Sequence, residues 1–302
     1  MNIIDFAYHD TDQEFQELRD FLIELYATDR TIRTWLFSRL EFWRACAASR
    51  REPGFCRANA RIWRDDMGRI AGVFLSDKGD SGFHVLLRPG LEAVGELILR
   101  WATTIWGENK TELKTQLYPN EATMRFLLEK QGFQSGGVAG FTREYDLLAM
   151  RPEPILANGY QVGDILEYPD RLSKAEAVCR AFHPEDDKVI TESDYFWRAN
   201  LPCYQPELDL SVVSPEGKHL SSCLGLVDWK LKIAEIETVA THPAHQRQGL
   251  GRAVVTECFR RLKRHGIEKA YITGYREAAN GLYGALGPAA TYPLERFERK
   301  KR

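Results

Sequence analysis

The clearest change of apolar spacing along the chain falls within residues 234–266. Ile236 and Val239 give the segment from Ala234 β-character, and Pro243 stops its ladder, so a strand is predicted there. From Leu250 the period lengthens. Leu250, Val254, Cys258 and Leu262 recur at helical intervals, with Val255 and Phe259 beside them. Charge fills the other face until Lys263, Arg264, His265 and Gly266 supply a basic last turn and a glycine stop. Gly249 and Gly251 sit where this helix begins. A strand, a glycine-bearing loop and a helix N-terminus together make an anion site. The loop N–H groups point inward, and the helix dipole adds roughly half a positive charge.

The pattern occurs twice. Phe42-Trp43-Arg44-Ala45 recurs as Phe196-Trp197-Arg198-Ala199, an offset of 154 residues (196 − 42). Val85-Leu86-Leu87-Arg88-Pro89 matches Val239-Ala240-Thr241-His242-Pro243 at the same offset (239 − 85). Residues 125–132 lie against 280–287, one residue further apart. Asp65-Asp66-Met67-Gly68 and Ser214-Pro215-Glu216-Gly217 both read as hairpin turns. Two similar domains follow, 1–148 and 149–302, with the seam in the Pro-bearing stretch 149–154. Each half reads as helices, then two or three antiparallel strands, then strand–helix–strand–helix–strand. The expected fold class is α/β, of the α+β mixed-sheet kind, with helices on both faces.

The halves differ where chemistry would lie. From Pro243 to Gly266 there are 23 steps, and from Pro89 to Gly107 there are 18. The missing residues are those of the loop. Gly90-Leu91-Glu92 instead enters a helix directly, and an acid at that helix start repels a diphosphate. At the repeat offset Glu237 falls on Phe83, Glu235 on Ser81 and Tyr283 on Leu128. Residues 1–148 are expected to be a degenerate copy, retained for stability, dimerisation or shaping of an acceptor site.

Composition narrows the class. The 302 residues are 44% hydrophobic, ample for a core in each half, and the formal charge of −2 argues against a nucleic-acid or membrane-surface binder. No stretch approaches the ~20 apolar residues of a membrane helix, and the N-terminus turns acidic too soon for a signal peptide. Cys46, Cys56, Cys179, Cys203, Cys223 and Cys258 show no C-x-x-C pair, which fits free thiols in a reducing cytoplasm. His183, His242 and His245 lack ligand spacing, so no metal is expected.

The loop fits neither a dinucleotide G-x-G-x-x-G nor a Walker sequence. Gln246-x-x-Gly249-x-Gly251 resembles the Q/R-x-x-G-x-G/A loop of the GCN5-related N-acetyltransferases (GNAT). Asn280-Gly281-Leu282-Tyr283-Gly284-Ala285-Leu286-Gly287 looks like that family's closing N-x-x-Y-x-x-x-G segment, and the resemblance covers residues 205–290. One departure is Pro288, which stands where the family usually has a phenylalanine after Leu-Gly. The resemblance implies two acyl-CoA N-acyltransferase-like domains in tandem, the second catalytic. It implies an acetyl-CoA-dependent N-acetyltransferase acting on a primary amine of a small molecule or peptide.

By that resemblance the diphosphate rests on the loop, Gln246, Arg247, Gln248, Gly249, Leu250, Gly251 and Arg252. The strand residues Val239, Ala240 and Thr241, with Asn280 and Tyr283, complete the cofactor set. The family's splayed strands would leave the N–H of Val239 to stabilise an oxyanion, an effect typically of order 3 kcal/mol. Glu235 and Glu237 share one strand face, and either can drain the proton of an amine, with Glu237 favoured. Tyr283 would protonate the departing thiolate. His183, Trp197 and Trp229 are candidates for the acceptor side. Two other readings stand beside this one: transfer of a different acyl group, as in two-domain thiol-cofactor synthases, and a non-catalytic acyl-CoA sensor.

Overall fold

The computed structural model describes residues 2–50 and 54–300, with side chains 47–50 also outside the description. Met1, where the N-terminal reading began, lies outside the described residues. The chain divides into two compact units, Met1–Gly140 with Tyr292–Arg302, and Phe141–Thr291.

In unit 1 the order is β1 (Ile4–Ala7), α1 (Asp12–Asp29), α2 (Phe37–Arg50), α3 (Phe55–Asn59), β2 (Ala60–Arg64), β3 (Ile70–Leu75) and β4 (His84–Leu87). Then come α4 (Glu92–Trp101), a π turn over Ala102–Trp106, β5 (Glu112–Leu117), α5 (Ala122–Lys130) and the start of β6 (Gln134–Asp146). The strands β1-β2-β3-β4 pair antiparallel in that order. Thr11 caps α1 by accepting from the Glu14 N–H at 3.2 Å. Trp35 and Trp43 are both almost fully buried in the core that α1 and α2 share with β2 and β3.

Unit 2 runs through β7 (Gln161–Asp164), α6 (Arg171–Phe182), α7 (Ser193–Phe196), β8 (Asp209–Val213), β9 (His219–Asp228) and β10 (Ile233–Thr241). It continues with α8 (Leu250–Arg264), β11 (Lys269–Gly274), α9 (Glu277–Gly284) and the start of β12 (Ala290–Lys300). β7-β8-β9-β10 are antiparallel, β10 and β11 are parallel, and β11 is antiparallel to β6 over 141–146. The sheet is therefore mixed, as the alternation of strands and helices predicts. All ten residues of β9 are buried, so both of its faces are covered, and α6 and α8 each pack on β9 and β10. The apolar face of α8 is the predicted one: Leu250, Val254, Val255, Cys258, Phe259 and Leu262 are all buried.

The repeat is visible in detail. In the first hairpin Asp65 N–H donates to Arg69 O and Gly68 N–H to Asp65 O; in the second, Ser214 N–H donates to Lys218 O and Gly217 N–H to Ser214 O. Gly68 and Gly217 hold φ of 76° and 81°, the left-handed conformation that such a turn reserves for glycine. Two features differ from the sequence reading. A strand, β1 or β7, precedes the helices of each unit. The units also do not divide at 148/149. The chain leaves unit 1 inside β6, where residues 141–146 become the strand beside β11, and it returns inside β12, which pairs with β5 in unit 1. Unit 1 thus closes with a strand from the far end of the chain, while unit 2 is the continuous stretch between. Among the described residues no helix is long and apolar enough to cross a membrane.

Candidate active site

The site of unit 2 is an opening in its sheet. β10 pairs with β11 only at Ile233↔Lys269, Ala234↔Ala270 and Glu235↔Tyr271, although β10 runs on to Thr241. On its other side β10 pairs with β9 through Glu237↔Leu224 and resumes at Ala240↔Ser222. Thr238 and Val239 fall in the bulge between, outside both ladders. Thr238 has φ of 57°, a left-handed value costly for a β-branched residue. Glu235 and Glu237 are both half-buried. They differ in setting: Glu235 lies at the last rung shared with β11, and Glu237 lies two residues beyond it, paired with β9 alone and next to the bulge.

Beyond Thr241 a short 3-10 turn, Pro243–His245, leads to Gln246, whose side-chain N–H donates to Thr241 O at 3.2 Å. Arg247 and Gly249 take φ of 63° and 80°, and α8 starts at Leu250. Two left-handed residues so close together fold the loop back on itself over the helix end. Gly249 needs its glycine for φ alone, since an added Cβ would meet nothing within 4 Å. Gly251 is a packing glycine: a Cβ there would lie 3.3 Å from Leu282 Cδ2 and from Thr241 Oγ1. Gln246, Arg247, Gln248, Gly249 and Arg252 are exposed, Leu250 is buried, and the first turn of α8 holds no acid. A diphosphate fits this loop: first-turn N–H groups without intrahelical partners, no opposing carboxylate, and two arginines at the rim.

The far wall is β11 and α9. Gly274 lets α9 come close, for a Cβ there would sit 2.8 Å from Asn280 Oδ1 and 3.1 Å from Tyr283 Cδ2. Asn280 Oδ1 accepts from Arg143 Nη1 at 2.8 Å, and Tyr145 Oη donates to Tyr283 O at 2.6 Å. Tyr283 is 6% exposed. Burial, and after it the charge of Glu237, hold its phenol above the usual tyrosine range, so it is a proton donor at neutral pH. The same interaction puts Glu237 and Tyr283 within one another's field. Sequence reasoning missed Arg143 and Tyr145, although their alternation along β6 marks one strand face. What it lacked was the knowledge that this stretch belongs to unit 2.

The acceptor-side candidates are not brought together. His183 ends α6 and is exposed, and Trp197 is half-buried beneath the Arg198 guanidinium at 4.5 Å. Trp229 lies in the β9–β10 turn against His265, ring centroids 6.0 Å apart. His265 follows the C-terminal end of α8, so Trp229 is at the opposite pole of that helix from Gly249. Nearer to β10 is a buried polar cluster that the sequence reading did not single out. Lys174 Nζ pairs with Asp209 Oδ1 at 2.6 Å and donates to the carbonyls of Asp209 and Leu210; Tyr195 and Tyr204 donate to the two carboxylate oxygens. Tyr195 packs with Ala240 of β10. Among the described residues no group of three or more His, Cys, Asp or Glu side chains is placed to hold a metal ion, and the six cysteines form no disulfide.

Residues 175–287 match the model of the acetyltransferase (GNAT) family. No curated protein sequence matches the chain. Among solved structures it is similar to a GCN5-related N-acetyltransferase from Sphaerobacter thermophilus, 17% identical over 99% of this chain and 96% of that one, with a TM-score of 0.64. It is also similar to a tandem GNAT protein from the clavulanic acid biosynthesis pathway, solved without AcCoA (14%, 99% and 98%, TM-score 0.67). A GNAT-family acetyltransferase from Colwellia psychrerythraea aligns over 99% of this chain and all of that one at 10% identity, TM-score 0.62. The match to the acetyltransferase (GNAT) family is therefore carried by residues 175–287. The whole chain has the fold of two acyl-CoA N-acyltransferase-like domains in tandem.

Proposed function

We propose that the protein is an acetyl-CoA-dependent N-acetyltransferase whose catalytic machinery lies in unit 2 and whose acceptor is a primary amine of a small molecule or peptide. The observation that supports this most is the end of the β10–β11 ladder at Glu235, directly before the bulge and the left-handed loop at Arg247 and Gly249. The loop and the first turn of α8 hold the diphosphate, with Arg247 and Arg252 adding charge. The free edge of β10 at Val239, Ala240 and Thr241 pairs with the amides of the pantetheine arm. The Val239 N–H faces the thioester oxygen as negative charge grows there.

Transfer is direct, in a ternary complex. The amine nitrogen forms a bond to the thioester carbon and the carbon–sulfur bond breaks. Glu237, directly or through a water, takes the proton the amine loses, and Tyr283 gives one to the sulfur. Glu237 is preferred to Glu235 because it lies beyond the last β11 rung and next to the bulge, while Glu235 is paired with both β9 and β11. Asn280, held by Arg143, lies one turn before Tyr283 on α9 and contacts the cofactor from that side. Unit 1 is read as a degenerate copy without a cofactor loop.

The test is thiol release from acetyl-CoA across amines, polyamines, amino acids, aminoglycosides and peptides, alongside cofactor titration. One cofactor bound per chain and amine-dependent release support the reading. Tight cofactor binding with no release for any amine favours an acyl-CoA sensor, and release only from another acyl thioester changes the donor. Two cofactors bound per chain overturn the assignment of unit 1.

A further inference from the structure

Unit 1 contains a cavity of about 290 Å³ where β4 ends and α5 begins, room for about ten water-sized groups. Val85, Leu87, Pro89 and Met124 give it an apolar floor. Its two arginines are already engaged. Arg33 grips Asp29 at 3.1 and 2.8 Å and donates to the carbonyls of Leu25 and Thr31; Arg88 donates to Ile70 O and to Glu24. An anion entering the cavity would have to compete with those carboxylates. Glu121 is in the opposite position. It stands at the N-terminus of α5 yet makes no capping bond to the helix; it accepts from the Tyr118 N–H at 2.9 Å and, among the described residues, from no other donor. Burial lifts its pKa to about 7, against which the charge of Arg33 counts for little. The Arg33 charge nearby is held by Asp29, so among the described residues no cation is hydrogen-bonded to this carboxyl.

We infer that this cavity is a binding site for a small aliphatic primary ammonium ion, its nitrogen paired with the Glu121 carboxylate and its alkyl body on Val85, Leu87 and Met124. The ammonium group supplies the missing positive charge and hydrogen-bond donors, and the floor supplies burial for a short chain. The charged groups on the other walls, Asp29 at the end of α1, Arg33 after it and Arg88 after β4, are paired, so Glu121 alone sets the pH dependence. Below pH 7 the ligand must displace a proton from Glu121; above it none is displaced. Affinity therefore rises with pH and levels off near 8, where the amine is still protonated. The site is separate from the acetylation site proposed for unit 2, and it stands whether or not that reading does.

The experiment is calorimetric titration of the full chain, without acetyl-CoA, with n-butylammonium, and with butanol and butyrate as controls. One saturable site for n-butylammonium is expected, about tenfold weaker at pH 6 than at pH 8, with proton release at pH 6 seen as a buffer-dependent enthalpy. Glu121→Gln should weaken it roughly tenfold or more, and Glu237→Gln should leave it unchanged. Should Glu121→Gln fold poorly, Thr123→Lys, which sets a tethered ammonium on the cavity wall, should abolish binding. Butyrate binding as well as n-butylammonium overturns the inference. So does loss of the site on Glu237→Gln, retention in both cavity variants, or the absence of saturable binding at pH 8.

Discussion

The turn from β4 into α4 and the turn from β10 into α8 occupy the same place in two copies of one fold, and they are built differently. β4 ends at Leu87 and α4 starts at Glu92, whereas β10 ends at Thr241 and α8 starts at Leu250. The longer turn contains a 3-10 segment and two left-handed residues. The shorter one puts an acid in the first turn of its helix. Behind the turns the contrast continues. At the repeat position of Glu237, Phe83 is fully buried, stacked on Phe74 at 5.5 Å and edge-on to Trp106 and Phe133. At the position of Tyr283, Leu128 is fully buried in the same cluster. Unit 1 has apolar contacts where unit 2 has a half-buried carboxylate and a buried phenol, an arrangement that costs stability.

The sharpest way to break this comparison is to exchange the residues that define it. Glu237→Gln should lower turnover by roughly 100-fold to 10,000-fold with cofactor affinity unchanged, the range expected of a lost general base. Glu235→Gln should cost much less. If the two effects are reversed in acetyl-transfer assays, the paired part of the strand and not its opening holds the base. The reciprocal change, Phe83→Glu, gives unit 1 no activity. It buries an uncompensated charge among Phe74, Trp106 and Phe133 and should cost about 3–5 kcal/mol in chemical denaturation. A mild effect there would mean that the aromatic cluster is looser than its packing implies.

Gly249→Ala probes the longer turn alone. Its φ of 80° penalises any side chain by about 1–2 kcal/mol, although an added methyl would touch nothing. Cofactor affinity should fall about tenfold with the protein still folded. Gly90, at φ of 78° in the shorter turn, is the control, and Gly90→Ala should leave that affinity unchanged.

Much of this was legible in the residues. The period change at Leu250, the glycine stop at Gly266 and the paired hairpins at 65–68 and 214–217 are local signals, set by propensity and turn geometry, and the structure has them where the sequence puts them. The exchange of end strands was not legible, because residues 141–147 look the same whichever sheet they join. Only tertiary pairing of β6 with β11 decides the matter. Arg143 and Tyr145 were missed for that reason. Glu121 was missed because nothing in its neighbours along the chain marks it as lining a cavity; Arg33, nearly ninety positions away, helps to enclose it. The seam at 149–154 was read from prolines, which mark a linker but not which strands stay with it.

The smallest expected effect compares one histidine in each unit, His84 half-buried and His219 buried. His84 on β4 has its pKa lowered to about 3, first by desolvation and then by Arg39, and among the described residues its Nδ1 has no hydrogen-bond partner. His219 at the start of β9 is lowered to about 4, again by burial first and then by Lys174, while its other ring nitrogen reaches Tyr168 O at 3.1 Å. Both imidazoles stay neutral when folded and take a proton near pH 6.5 when unfolded. Their contribution is intact above pH 6.5 and is lost as pH falls, down to about 3 for His84 and about 4 for His219. Each should cost up to about 1.4 kcal/mol per pH unit in its window. Glu121 acts with the opposite sign between about 7 and its ordinary range, so the raw acid profile of unit 1 mixes the two. The difference between wild type and His84→Gln removes that mixture. Measured by denaturant midpoint at pH 7.5 and pH 5, His84→Gln and His219→Gln should each narrow the loss on acidification, and by similar amounts, because both windows span that range. Equal slopes in wild type and both variants would show that neither ring is held neutral and that acid sensitivity lies in the carboxylates.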